Sequence, residues 1–538
     1  MPADAQEVDY LIIGAGMAGT VLQRFLNNDN TVVLDPKPGA YKVGESIIPE
    51  HFHHPVIREL VPLAKQLPSY CSKTGITFIA NDSVASFPLP KHGSQVAMHV
   101  ERSQLEQLMH QEWKTPIVRE RVEDIDLDSM IVTTETQRYR VRNQILDCSG
   151  PAMVVARKCD RVMDLWPTYA RWAYFDIESI DDTLFWEQIR ARNLKYSRFD
   201  VPNGQLLEAT EDPDWRPSKN TIITQVSQSV WTWQIPLYDH QVLSFGVVSR
   251  SDRIGEDEFY ELAKRYHAPQ YRLRPRPRGP GPLDRMRTRG RYARRAATPA
   301  TEKYILIADA CSFGDPLYSV GTGIAVNKAI EVAAILNEEG WNSETCARYV
   351  ADTNRMTDRT YEAFETWYKG ELLSSKTHAR EVRQNYLVGT AFQVGIANHY
   401  SRVLDDAGAP ARDAGPEGRG RHQVDPAAPP VTDEVRTLLG LEGDQPVDGW
   451  TLQGAYRTPT EIQHRWRHPD KPEFVINTSF DPAVTRYYIQ VQGISLSFMN
   501  LWDRPYPFDD SCVQLLQQIA ARIGEQADAW RRLDPAKT

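Results

Sequence analysis

Three groups of residues have types and spacings suited to chemistry on a bound cofactor. The first is Gly14-Ala15-Gly16-Met17-Ala18-Gly19. It follows a short apolar run, Asp9–Ile13, and precedes a segment whose Val21, Leu22, Phe25 and Leu26 share one helical face. A second apolar run, Thr31–Leu34, ends at Asp35. Strand, tight turn, helix, strand and terminal acid, in that order, predict a dinucleotide-binding unit. Gly14 permits the turn, Gly16 lets the backbone approach a pyrophosphate, and Gly19 lets the helix lie close on the strand. Ala15 and Ala18 complete the cofactor-binding turn. The helix N-terminus then faces the phosphate charge, and Asp35 accepts hydrogen bonds from ribose hydroxyls. The fingerprint alone fits NAD or FAD.

The second group is Trp231-Thr232-Trp233-Gln234-Ile235-Pro236, in a strand-like stretch between Ile222 and Val247. Alternation puts Trp231, Trp233 and Ile235 on one face, with Thr232 and Gln234 on the other. Pro236 marks a strand end or an edge, because it has no N–H to donate. Periodicity alone makes the two tryptophans an aromatic core strip. The third group is Phe313-Gly314-Asp315-Pro316-Leu317-Tyr318-Ser319-Val320-Gly321, leading into a helix from Thr322. A turn of successive backbone N–H groups at a helix start is a nest for an anion, or a plain cofactor contact. A further candidate is Lys73, in Ser72-Lys73-Thr74-Gly75-Ile76-Thr77-Phe78. On residue type alone a single lysine there reads as a solvated surface charge. Lys65 is the alternative lysine. His51, His53 and His54 lack the spacing of a metal site, so no metal is expected.

These residues need elements to hold them, and 538 residues suffice for a large core and more than one domain. Hydrophobic residues at 41% and charged residues at 25% are ordinary for a globular protein. The net charge of −9 argues against nucleic acid as a partner, and no apolar run is long enough to span a bilayer. A first strand at about Asp9 leaves no room for a signal peptide. The six cysteines show no CxxC pair, so free thiols and a cytoplasmic setting are expected. Residues 1–330 alternate short β-like runs with helical patterns, as in an α/β core of discontinuous subdomains. Residues 331–404 read as helical, 405–431 as a Pro/Gly/Ala-rich linker or mobile loop, and 432–538 as a small α+β module. In that module Glu473–Asn477 and Arg486–Met499 look like strands, and Ser511–Arg532 like an amphipathic helix. The Arg-rich run Arg272–Arg295 reads as a solvated, mobile loop, or as a dock for an acidic carrier protein.

Later segments select FAD. Glu101–Leu108, with Arg102 near its start, resembles a cofactor-contacting helix of the large FAD-monooxygenase-like group. Gln144–Gly150 resembles that group's strand-to-turn segment, and Tyr304–Ala310 resembles its second flavin motif. Asp309 is present there, while Ala308 stands where Gly is usual. The resemblance implies an FAD-monooxygenase-like fold: a Rossmann-type FAD domain plus a mixed-sheet substrate domain. No second GxGxxG lies between strand and helix, so reduced FAD is expected from a separate flavin reductase.

More narrowly, residues 8–330 resemble the flavin-dependent halogenases. Trp231-Thr232-Trp233-Gln234-Ile235-Pro236 matches the family's WxWxIP, and Phe313–Gly321 fits its F-x-x-P-x-x-S-x-G turn. Gly44-Glu45-Ser46 looks like the family's segment at the flavin, and Lys73 matches its active-site lysine. The resemblance implies cofactor contacts from Pro316, Gly321 and Thr322, and a chloride or bromide site at Val320 and Gly321. Hypohalous acid made from that halide, with reduced FAD and O2, would pass to Lys73. Trp231 and Trp233 would wall the flavin from the substrate. The tryptophan-type enzymes carry Glu where this chain has Tyr318, which favours a phenolic or pyrrolic substrate, free or carrier-bound. An aromatic hydroxylase or oxidase and a non-catalytic flavin-binding protein are the alternatives on the same scaffold.

Overall fold

The first strand, Gln6–Ile13, buries Leu11, Ile12 and Ile13. It feeds the glycine turn and the helix Met17–Phe25. The computed structural model describes residues 5–47, 55–80, 83–88, 97–159, 161–200, 205–208, 216–317, 319, 321–368, 451–457, 462–467, 475–481, 486–491 and 494–497. Gln6–Ile13 lies parallel to both Thr31–Leu34 and Arg138–Asp147. Ile117–Val118 extends the parallel set on one side. Tyr304–Leu306 pairs in parallel with the Asp147 end of Arg138–Asp147. An antiparallel meander, Val122–Asp126 and Ile131–Thr134, pairs with its other end and completes a seven-stranded sheet. This is the α/β unit expected from the fingerprint.

Two glycines are required by close approach. Gly14 has φ +99°, and a Cβ there would stand 2.6 Å from the Cys148 carbonyl oxygen. A Cβ on Gly19 would stand 1.9 Å from the Gly14 carbonyl oxygen. The helix can therefore dock on its own turn only with glycine there. Its apolar face, Val21 and Leu22, joins Val326, Ala329, Ile330 and Ala333 of the helix Gly321–Ala334 in one buried cluster. Burial on this scale stabilises by roughly 1.5–3 kcal/mol per large aliphatic side chain.

A ten-stranded mixed sheet forms the second part of the core. Val230–Leu237 lies inside it, antiparallel to both Asn220–Gln225 and Val242–Ser249. The strand runs one residue past Pro236. The ladder to Val242–Ser249 continues there, but pairing with Asn220–Gln225 stops at Gln234. Pro236 thus occupies a local edge within a continuing strand.

The Arg-rich run corrects the sequence reading, because much of it is structured and paired. Tyr271–Pro275 and Arg287–Gly290 both pair with Tyr169–Ile180. Arg272 meets Glu178, Arg274 and Arg276 meet Asp176, and Arg278 meets Glu256. Arg294 meets Asp164.

Beyond the sheets, a π-helical turn, Ile335–Glu339, leads to the helix Ser343–Tyr368. The rest of the expected helical segment, and all of 405–431, lie outside the described residues. Thr451–Arg457, Ile462–Arg467, Val475–Asp481, Arg486–Val491 and Ile494–Ser497 form an antiparallel five-stranded sheet in sequence order. The run 486–499, read as one strand, holds two. Ser511–Arg532 and the three histidines His51, His53 and His54 lie outside the described residues. Cys71, Cys148, Cys159, Cys311 and Cys346 are thiols. Among the described residues no helix is long and apolar enough to cross a membrane.

Candidate functional site

The two sheets share a cavity of about 1030 Å³. Its lining includes Gly14, Gly16 and Asp35 of the first unit, and Trp172, Trp231 and Trp233 of the second sheet. Small-molecule sites commonly measure about 300–1,000 Å³, so this one has room for a dinucleotide and a second small molecule.

On the dinucleotide side, Asp35 accepts the Ala15 N–H at 2.9 Å and the Lys37 N–H at 2.8 Å. Each carboxylate oxygen keeps a lone pair for a ribose hydroxyl. The helix Met17–Phe25 has a carboxylate beneath its first turn: Glu106, fully buried, accepts the Met17 N–H at 3.1 Å. Arg102 donates to Glu106 at 3.0 Å and Lys42 at 2.6 Å. Burial is the largest influence on the Glu106 carboxyl and pushes it up. The Arg102 and Lys42 charges nevertheless hold it below the usual range. A Cβ on Gly16 would come within 3.1 Å of the Lys42 ammonium. A glycine cradle flanked by two cations fits a pyrophosphate. Sequence reasoning found Arg102 but not Lys42 or Glu106, although Glu106 lies four residues beyond Arg102 on one helix face.

Asp309 lines the same cavity, in the short turn Ala308–Ala310. Burial pushes its carboxyl up to about 6, against the opposing charge of Arg102. Ala308 takes φ +54°, the left-handed conformation that glycine adopts freely. Ala15 and Ala18 are buried in the turn and first helix. Gly44, Glu45, Ser46, Pro316, Gly321 and Thr322 also line the cavity. Together these residues fit an FAD.

Val320 and Tyr318 lie outside the described residues, while Gly321 opens the helix Gly321–Ala334. The preceding segment is held by Asp315. Its carboxylate accepts the Leu317 N–H at 3.0 Å and the Tyr368 hydroxyl at 2.7 Å. Trp231 donates its indole N–H to the same Tyr368 oxygen at 2.7 Å. Arg250 stacks over the Tyr368 ring at 3.5 Å and over Trp166 at 3.8 Å. Trp233 donates to Ser244 at 3.2 Å and sits on Gly246, where a Cβ would come within 2.1 Å of the indole. The two indoles of the Trp-x-Trp pair are 6.0 Å apart and share one face of the strand, as alternation assigned them, and both line the cavity.

Lys73 lies between two short strands and is 1% exposed. Its Nζ donates to Ser46 Oγ at 2.8 Å. Thr221 donates to the same Ser46 oxygen at 3.3 Å, and His99 Nε2 pairs with Thr221 at 2.8 Å. Burial holds His99 neutral, well below its ordinary titration range. Ser46 and Thr221 line the cavity, and the ammonium stands behind Ser46. Lys65 ends the helix Pro55–Lys65 and is exposed.

A further buried network joins Glu45 to the aromatic wall. Tyr174 donates to Glu45 Oε1 at 2.6 Å, and Ser244 approaches the same oxygen at 3.4 Å. The Tyr174 and Tyr41 hydroxyls are 2.5 Å apart, and Trp172 donates to Tyr41 at 2.7 Å. The Arg287 guanidinium lies 3.8 Å over the Tyr41 ring. Burial pushes the Glu45 carboxyl up, opposed by its hydrogen bonds from Tyr174 and the backbone. Tyr41, Tyr174, Trp172 and Arg287 carry no motif and come from three distant segments, with Trp172 and Tyr174 sharing the strand Tyr169–Ile180, so sequence reasoning missed them.

This arrangement is that of the FAD-monooxygenase-like fold. Solved structures share that fold. The flavin-dependent brominase Bmp2 is 16% identical with a TM-score of 0.52, the match covering 74% of this chain and 99% of that one. The myxobacterial chondrochloren halogenase CndH is 18% identical with a TM-score of 0.51, over 73% and 91%. A flavoprotein/dehydrogenase from Cytophaga hutchinsonii is 17% identical with a TM-score of 0.51, over 72% and 93%. No family model and no curated protein sequence matches the chain.

Proposed function

We propose that the chain is a two-component, flavin-dependent halogenase acting on a phenolic or pyrrolic ring, in the cytoplasm, for secondary-metabolite biosynthesis. One observation carries this reading. Trp231 and Trp233, the residues Pro316, Leu317, Ser319 and Gly321, and Ser46 with Lys73 hydrogen-bonded behind it meet at the cavity whose other residues fit FAD. Reduced FAD from a separate flavin reductase would supply, with O2, the oxidising equivalent that converts chloride or bromide to hypohalous acid. Gly14, Gly16, Gly19, Asp35, Arg102 and Asp309 hold the cofactor. Backbone N–H groups at Val320 and Gly321 hold the halide. Trp231 and Trp233 keep the aromatic substrate from direct contact with the flavin. Lys73 acts at the Ser46 side, where its ammonium orients the oxidised halogen towards the ring carbon. The substrate is free or carried by a partner protein.

The test is mass spectrometry of phenols and pyrroles incubated with the protein, a flavin reductase, NADH, FAD and air. A one-halogen increment is expected only when chloride or bromide is present. Product without halide would establish the hydroxylase reading instead. No product under any condition would leave a flavin-binding protein. Lys73→Ala should still quench FAD fluorescence on binding, while product formation falls at least ~10²-fold.

A further inference from the structure

Electrophilic attack on a phenol is fastest when the hydroxyl gives up its proton as the ring gives up electrons. The cavity therefore needs a base near the aromatic wall. Four described carboxylates line it: Asp35, Glu45, Glu120 and Asp309. Asp35 is engaged by the dinucleotide turn, and Glu120 by the Thr134 and Thr136 hydroxyls. Asp309 faces Arg102 on the cofactor side. Glu45 alone of the four is joined by hydrogen bonds to the tryptophan-rich face, through Tyr174 and Tyr41 to Trp172.

We propose that Tyr41, Tyr174 and Glu45 form a proton relay that deprotonates the substrate hydroxyl during halogenation. The inference rests on the phenolic reading above. Donor counting sets its direction. With Glu45 ionised, Tyr174 donates to Glu45, so Tyr41 must donate to Tyr174, while Trp172 donates to Tyr41. Tyr41 lines the cavity and keeps a second lone pair, which accepts the substrate O–H. Arg287 over the Tyr41 ring favours negative charge there as the proton moves through.

The steps balance. The substrate proton goes to Tyr41, the Tyr41 proton to Tyr174, and the Tyr174 proton to Glu45. The freed oxygen pair drives the ring carbon onto the halogen of hypohalous acid, whose halogen–oxygen bond breaks to release hydroxide. The ring carbon then loses its hydrogen to that hydroxide, forming water. The oxygen of the product recovers its proton from Glu45 through the same chain. The net change is one ring C–H and one hypohalous acid to one ring C–halogen and one water.

The experiment compares the full-length protein with Tyr174→Phe and Tyr41→Phe, measuring kcat for one phenol from pH 6 to 9, alongside FAD affinity and thermal midpoint. At pH 7 each variant should lose about 10²-fold in kcat while keeping FAD affinity. The loss should shrink about tenfold per pH unit as the phenol ionises in solution, whereas the parent profile stays flatter. A loss equal at every pH, or no loss, overturns the relay, the first because it marks a purely structural role. If the parent halogenates no phenol, the functional reading fails first and the relay with it. If one variant does not fold, the other carries the test by the same criteria.

Discussion

Ala308 and Asp309 show how single positions in the flavin turn balance strain against charge. The left-handed backbone at Ala308 costs an alanine roughly 1 kcal/mol. Ala308→Gly should therefore stabilise the fold by up to about 1 kcal/mol, read as a rise in thermal midpoint, part being lost to the freer unfolded chain. Asp309 has a folded pKa of about 6, above its ordinary 3.8. Its ionisation thus opposes folding, and stability falls as pH rises through that interval. Asp309→Asn should stabilise the cofactor-free protein at pH 7.5 by about 2 kcal/mol, allowing for partial exposure, and leave it nearly unchanged at about pH 3, below both pKa values. Calorimetry at the two pH values reads this directly, and FAD affinity should drop in the same variant. The turn was legible from Asp309 and from alanine replacing glycine. Lys73 was singled out only by resemblance, and its hydrogen bond to Ser46 carried no local signal, since the contact joins segments 27 residues apart.

The last turn of Ser343–Tyr368 is a latch. Tyr368 ties the Asp315 turn to Trp231 through one hydroxyl. Tyr368→Phe leaves a buried carboxylate and an indole each short of a partner, which should cost about 1–3 kcal/mol. If the turn holds halide, the apparent KM for bromide should rise several-fold with little change in FAD binding. In the neighbouring strand, Gly246→Ala puts a methyl group into the Trp233 indole, so destabilisation of roughly 1–3 kcal/mol and shifted tryptophan fluorescence are expected. The tryptophan strand was readable because a period of two is a local property. The Arg-rich run was not, because Asp176, Glu178 and Asp164 lie about a hundred residues upstream. Pairing at that separation leaves no local pattern.

At the scale of the whole molecule, cofactor binding should stabilise both sheets, since both line its cavity. Free FAD at a hundredfold excess over Kd should add about 2.7 kcal/mol, measurable as a rise in thermal midpoint. The parallel unit was legible from one strand–turn–helix–strand sequence. The ten-stranded sheet was not, because it collects strands from residues 75 to 290 in an order that short-range pattern does not encode. The burial of the thiols has a consequence of a different kind. Cys148 lines the cavity, yet burial pushes its thiol well above the ordinary range, and Cys311 is pushed up to about 12. The thiolate is the form that strong oxidants attack first. A catalyst that releases a strong oxidant into this cavity would be less prone to self-inactivation with such thiols held protonated.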